Sequence, residues 1–81
     1  MRLDKYLKVS RIIKRRTVAN EACDAGRVEV NNKPAKASLE VKTGDVISIR
    51  FGDKFTKLEV LAVKETVRKD DASSLYRFIE V

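Results

Sequence analysis

The chain has 81 residues, of which 43% are apolar and 37% charged, and its formal net charge is +6. This length predicts one small domain over residues 1–81, and no apolar run approaches the roughly 20 residues of a membrane span. Histidine is absent and Cys23 is the only cysteine, which excludes an intramolecular disulfide and a metal site of the Cys/His type. We therefore expect no metal, no cofactor and a reducing, cytoplasmic location.

The residue inventory does not favour an enzyme. Without histidine the chain lacks the usual general acid–base group near neutral pH, and no motif pairs a nucleophile with a base. The three glycines, Gly26, Gly44 and Gly52, are too scattered to form a phosphate-binding loop. The sequence therefore predicts a binding protein rather than a catalyst.

The excess positive charge lies entirely in the first sixteen residues, MRLDKYLKVSRIIKRR. This segment holds seven basic residues and one acidic residue, whereas the remaining 65 residues carry eleven of each. Charge confined to one segment of a folded domain creates a local potential that attracts a polyanion such as RNA. The candidate RNA-binding residues are these seven cations and three that flank the predicted first hairpin: Arg2, Lys5, Lys8, Arg11, Lys14, Arg15, Arg16, Arg27, Lys33 and Lys36.

Two short helices are predicted at the start of the chain. Leu3, Tyr6 and Leu7 follow helical spacing, so a helix over residues 3–9 buries them and turns its cations outward. Asp4, in the first turn, is favoured by the helix dipole and is expected to orient a nearby arginine. The second helix is predicted to start at an N-cap Thr17, to end at Gly26, and to bury a face of small residues: Val18, Ala19, Ala22, Cys23 and Ala25.

From Arg27 onward the hydrophobic period changes from 3.6 to 2, which predicts strands. The first strand contains Val28 and Val30, Asn31-Asn32 forms a tight turn, and Pro34 limits the return to an edge strand. Further strands are predicted over residues 46–51 and 55–63, then a loop or helical turn, then a closing strand near the C-terminus. The aromatic residues of this half are predicted to form the core of the sheet: Phe51, Phe55, Tyr76 and Phe78. The fold class is α+β, with two short N-terminal helices packed on a small antiparallel sheet.

The segment RLDKYLKVSRIIKRRTVANEACDAGRVEVNNKPAKAS, followed by VKTGDVISI, resembles the S4 RNA-binding domain family. The resemblance covers residues 1–51, with 52–81 as a β extension, and it implies that the two helices form the αL RNA-binding motif. Asn32 stands where glycine is commoner in the turn, and the chain ends at Val81 without the charged tail of related proteins.

The opening MRLDKYLKVSRIIKRRT is similar to one stand-alone group of this family, the RqcP factors of ribosome-associated quality control. That resemblance implies contact with large-subunit rRNA and P-site peptidyl-tRNA, with Arg2 and Arg16 in RNA contact. We expect the protein to be a monomer. It also implies a partnership with RqcH in adding alanine tails to stalled chains.

Three alternatives remain open at this point. The small heat-shock members of the family imply recycling of large subunits that carry peptidyl-tRNA. The basic helix could instead bind an acidic protein partner, or the chain could be the RNA-targeting part of an enzyme such as a pseudouridine synthase. Membrane-surface binding is disfavoured because only two leucines and a tyrosine oppose the basic face.

Overall fold

The computed structural model describes residues 1–65 and 67–79. Helix α1 spans Leu3–Val9 and helix α2 spans Arg16–Asp24. The strands are β1 (Val28–Val30), β2 (Lys33–Pro34), β3 (Val46–Phe51), β4 (Lys54–Val60) and β5 (Tyr76–Ile79), and a 3₁₀ helix (Lys69–Leu75) precedes β5. No helix in this part of the chain is both long and apolar enough to cross a membrane.

Helix α1 has the predicted bounds and buries the predicted face. Leu3, Tyr6 and Leu7 are fully buried, and the Tyr6 hydroxyl donates a hydrogen bond of 2.8 Å to the Leu75 carbonyl. Burial raises the pKa of Tyr6 well above its ordinary value. The helix is thereby fixed to the end of the 3₁₀ helix, 69 residues away in the chain.

Helix α2 ends as predicted but starts differently. Its N-cap is Arg15, with no side-chain cap hydrogen bond, so the prediction of an N-cap at Thr17 is wrong. The helix begins at Arg16 because the Arg15 carbonyl accepts a hydrogen bond of 3.1 Å from the Ala19 N–H, which closes the first turn. At the other end Gly26 has a φ of 74°, the left-handed conformation that closes helices.

The buried face of α2 is narrower than predicted. Ala19, Ala22 and Cys23 are buried, whereas Val18 is 41% exposed and Ala25 is exposed. Val18 and the C-cap Ala25 are about two helical turns apart, so both lie on one side of α2, next to the buried residues.

The strands form one antiparallel sheet in the order β2-β1-β3-β4-β5. Asn31 and Asn32 have φ values of 53° and 68°, which confirms the tight turn and shows that Asn32 accepts the conformation glycine would supply. Strand β4 ends at Val60 rather than near residue 63, because the next two N–H groups both donate to the Leu75 carbonyl. Pro34 lies on the edge strand, as predicted.

One face of the sheet packs against both helices, and its buried side chains include Val28, Val30, Ile47, Ile49, Leu58 and Val60. The prediction that the four aromatic residues form this core is wrong. Phe51 is 39% exposed, Phe55 48% and Phe78 62%, while Tyr76 is half-buried and packs edge-on against Phe78 at 5.1 Å. Phe51 and Phe55 lie next to the β3–β4 turn, and Phe78 lies on the edge strand β5 directly opposite Leu58, so these rings remain in solvent. Phe55 also lies on the opposite face from Leu58, because alternate residues of a strand point to opposite sides.

Candidate nucleic-acid interface

A buried carboxylate joins the starts of the two helices. Asp4 is 2% exposed and accepts hydrogen bonds from Arg2 at 3.2 Å (Nε) and 3.3 Å (Nη2). Arg16 Nε lies 3.3 Å from the same carboxylate, and the side-chain amide of Asn20 and the backbone N–H of Lys5 complete its shell at 3.4 and 2.8 Å. The prediction that Asp4 orients a nearby arginine is confirmed. Asp4 contacts two arginines, Arg2 and Arg16.

These contacts keep Asp4 ionised. Burial alone would raise the pKa of Asp4, but the hydrogen bonds from Arg16, Arg2, Asn20 and Lys5 outweigh burial and hold the pKa below its ordinary value. The Arg2 and Arg16 side chains are 50% and 46% exposed. Each guanidinium has five N–H donors, so both keep donors for a phosphate while Asp4 fixes their position.

Lys36 lies beside this pair because residues 37–41 run along the start of the chain. The Leu3 N–H donates to the Leu39 carbonyl at 2.8 Å, and the Asp4 N–H donates to the Ala37 carbonyl at 3.1 Å. A cavity of about 400 Å³ there is lined by both Arg2 and Lys36. The structure thus places Lys36 beside Arg2, and Asp4 joins Arg2 to Arg16.

A second group of predicted cations surrounds an open groove of about 600 Å³. Lys8, Arg11 and Lys14 line it, together with Lys69, Glu65 and Val67. The sequence analysis missed Lys69, since no pattern in the polar stretch around it distinguishes this lysine from a solvated one.

Glu65 is the acidic group of this groove, and it forms an exposed ion pair with Lys5. The hydrogen bond and charge of Lys5 lower the pKa of Glu65 below its ordinary value. Lys5 does not line the groove itself, and its contact with the groove is the ion pair with Glu65.

Arginines occupy three backbone positions that local structure does not favour. Arg2 and Arg15 are the N-caps of α1 and α2, and neither makes a side-chain cap hydrogen bond. Arg11 has a φ of 62° just after α1, the same left-handed conformation that Gly26 adopts after α2. For a residue with a Cβ this conformation costs roughly 1–2 kcal/mol.

The remaining predicted residues lie outside both groups. Arg15 is exposed at the start of α2. The Arg27 carbonyl accepts a hydrogen bond of 2.9 Å from the Arg50 N–H, which places Arg27 beside β3. Lys33 lies on the edge strand, where it and Lys36 line a groove of about 720 Å³.

The other chemistry-bearing groups are few. Burial, with the charges of Asp4 and Asp24, raises the pKa of the Cys23 thiol to about 11. Within residues 1–65 and 67–79, no three His, Cys, Asp or Glu side chains are grouped so that they could hold a metal ion.

Comparison with known proteins identifies the fold family. The model of the S4 domain matches residues 1–47. The chain belongs to the S4 domain family. It is 60% identical over 76 residues to the RQC P-site tRNA stabilizing factor of Halalkalibacterium halodurans, covering 94% of this chain and 86% of that relative. It is 49% identical over 80 residues to the factor of the same name from Bacillus subtilis, covering 99% and 93% of the two chains.

A solved structure confirms the predicted fold class. Heat shock protein 15 of Vibrio cholerae superposes with a TM-score of 0.90 at 31% identity, covering 98% of this chain and 81% of that one. The resemblance to the S4 domain family and to its RqcP group is thus confirmed.

The S4 match contains all ten predicted RNA-binding residues, which lie between Arg2 and Lys36. Glu65 and Lys69, which complete the groove beside Lys8, lie beyond the matched region. The structure therefore adds residues of the β extension to a surface that the S4 domain begins.

Proposed function

We propose that this protein is a non-catalytic RNA-binding factor of ribosome-associated quality control, acting in the cytoplasm as a single domain. Its RNA contacts are large-subunit rRNA and P-site tRNA on obstructed large ribosomal subunits. The observation that carries the proposal is the fixing of Arg2 and Arg16 by the buried Asp4. Relatives at 49–60% identity carry the name RQC P-site tRNA stabilizing factor, which supports the choice of RNA.

The arrangement suits recognition of the RNA backbone. Side chains cannot read the deep, narrow major groove of A-form RNA, so cations on short helices respond to phosphate spacing and to the shape of bulges. An arginine held by a carboxylate presents its remaining N–H groups in a fixed plane, which favours paired hydrogen bonds to one phosphate. With about five phosphates neutralised, log K is expected to fall with log salt at a slope of roughly −3 to −4.5.

The finer part of the proposal is a partnership with RqcH. In this role the protein holds the tRNA in the P site while RqcH directs the addition of alanine residues to the stalled chain. The tagged protein is expected to copurify with large subunits that carry peptidyl-tRNA, and alanine tails are expected to depend on both proteins.

A matched pair of variants tests the surface. Arg2→Ala combined with Arg16→Ala is expected to abolish copurification with large subunits. It also removes partners of the buried Asp4 and should lower the free energy of unfolding, so urea unfolding first checks that the variant is folded. Arg77→Ala is the control, because Arg77 also pairs with a carboxylate, that of Glu59 at 2.6 Å, but lies on strand β5. Equal subunit occupancy for both variants would contradict the proposal.

A second candidate is the recycling role of the heat-shock relatives, favoured by the close superposition on heat shock protein 15. Under that role the copurified subunits still carry peptidyl-tRNA, but alanine tailing does not depend on this protein. An acidic protein partner is a further alternative, and ribonuclease treatment separates it, because RNA-mediated association is then lost.

A further inference from the structure

The tip of the β3–β4 hairpin, residues 50–55, exposes two large aromatic rings. Phe51 is 39% exposed and Phe55 is 48% exposed. The loop between the strands has only two residues, and its first, Gly52, has a φ of 56°, as tight hairpins require. The tip therefore projects as a narrow two-stranded ribbon with a phenylalanine on each strand.

The strand register places a cation beside each ring. Arg50 pairs with Phe55, and Phe51 pairs with Lys54. Directly opposite residues share a face of the sheet with Cβ atoms roughly 5 Å apart, and the next pair along lies on the other face. Each face of the tip thus carries one ring and one cation, so the rings do not merge into a single apolar patch.

The hairpin tip lies apart from the Arg2–Arg16 surface. The Arg50 N–H donates to the Arg27 carbonyl, so the base of the tip adjoins the connection that follows α2. Arg16 is at the other end of α2, a helix about 13 Å long. Arg27, which neither cationic group includes, supplies one more positive charge here.

We propose that the hairpin tip binds unpaired RNA bases through Phe51 and Phe55, with Arg50, Lys54 and Arg27 contacting the adjoining phosphates. Aromatic rings interleaved with cations are the usual means of holding single strands, since every base has a face on which a ring stacks. A protein partner is the weaker choice, because protein docking surfaces expose contiguous apolar patches and these rings lie on opposite faces. This proposal rests on the proposed function in one respect, because both take RNA as the ligand.

The test uses the full chain and two fluorescently labelled probes, a single-stranded oligouridylate and a fully paired RNA stem. Phe51→Ala and Phe55→Ala are each expected to weaken oligouridylate binding by about fivefold to a hundredfold. Neither should change stem binding or the salt slope, because a phenylalanine neutralises no phosphate. Phe51→Trp should retain binding, with its fluorescence quenched when oligouridylate is added.

The control variant is Phe78→Ala, which removes a ring that is 62% exposed but lies on β5. It should bind both probes as the wild type does, and thermal unfolding checks that every variant is folded. Three results would overturn the inference: wild-type protein that does not bind oligouridylate, folded Phe51 and Phe55 variants that still bind it fully, or equal losses on both probes. Variants that bind both probes normally yet lose a protein partner would assign the tip to that partner.

The same measurements keep the two proposals apart. Failure of the proposed function shows as a stem that the wild type does not bind, or that the Arg2 and Arg16 variants bind fully. Failure of the inference shows only with oligouridylate and the phenylalanine variants.

Discussion

Asp4→Asn tests whether the buried carboxylate is what fixes the two arginines. The substitution keeps the size of the side chain and one acceptor oxygen, but it turns an NH₂ donor toward guanidinium groups that are themselves donors. Hydrogen bonds to a charged partner contribute roughly 1.5–3 kcal/mol. Because Arg2 and Arg16 are about half exposed, water partly replaces the lost bonds. We therefore expect a loss near the lower end, about 2 kcal/mol.

The pH dependence of this loss has a definite sign. The pKa of Asp4 in the folded protein lies below its ordinary value of 3.8, so the carboxylate contributes stability above that pH. The contribution disappears as the pH falls through the folded-state pKa. The difference in free energy of unfolding between wild type and Asp4→Asn should be constant from pH 5 to 7 and should shrink below about pH 4. Urea unfolding across this range measures it.

The same variant separates orientation from charge in RNA binding. Asp4→Asn makes the protein more positive by one unit, so simple attraction predicts tighter binding. If Asp4 positions the arginines, the variant must instead immobilise each arginine side chain when RNA binds. This costs roughly 0.5–1.5 kcal/mol per side chain, so affinity should fall about fivefold or more. Asp70→Asn is the control, with the same charge change at an exposed residue of the 3₁₀ helix. A folded Asp4→Asn protein that binds RNA as tightly as this control would refute the reasoning.

Arg11→Gly should stabilise the domain by about 0.5–1 kcal/mol, because glycine relieves the left-handed conformation but adds freedom to the unfolded chain. Its melting temperature should rise by a few degrees while the slope of log K against log salt becomes shallower by about one; an unchanged slope would remove Arg11 from the interface. Glu65→Gln should strengthen RNA binding without changing the melting temperature, because it removes the acid from the groove beside Lys8, and weaker binding would contradict this. Tyr6→Phe should reduce the free energy of unfolding in urea by about 1 kcal/mol, since the Leu75 carbonyl keeps its backbone donors, and no change would contradict the importance of that bond.

The local elements of this fold could be predicted because local rules determine them. Helix α1 follows from the spacing of Leu3, Tyr6 and Leu7, and the end of α2 from Gly26, since each signal acts within one turn. The hairpin at Asn31-Asn32 is likewise a property of its own two residues. In the candidate site, the orienting role of Asp4 could be predicted, because a carboxylate among cations has few other partners.

The rest required the assembled sheet. Period-2 alternation shows which side chains share a face, but it does not show where the helices stop covering that face. Phe51 and Phe78 lie on the same side as Leu58 and yet remain exposed, because Phe51 is at the turn end of β3 and Phe78 is on the edge strand β5. Lys69 joins the groove of Lys8 across some sixty residues, a contact for which the sequence carries no periodic signal.

The residues at the helix ends are not those that would make the two helices most stable. A helix start favours Ser, Thr, Asp or Asn, and a positive charge there opposes the helix dipole, yet Arg2 and Arg15 occupy both starts. The chain uses glycine for the left-handed position after α2 but arginine for the equivalent position after α1. Local rules tend to fail where a site imposes its own requirement. Arg2 and Arg11 belong to the two cationic groups, and Arg15 is exposed at the start of α2. Under the proposed function the requirement is a guanidinium at a fixed place, and we expect binding to RNA to compensate for the strain.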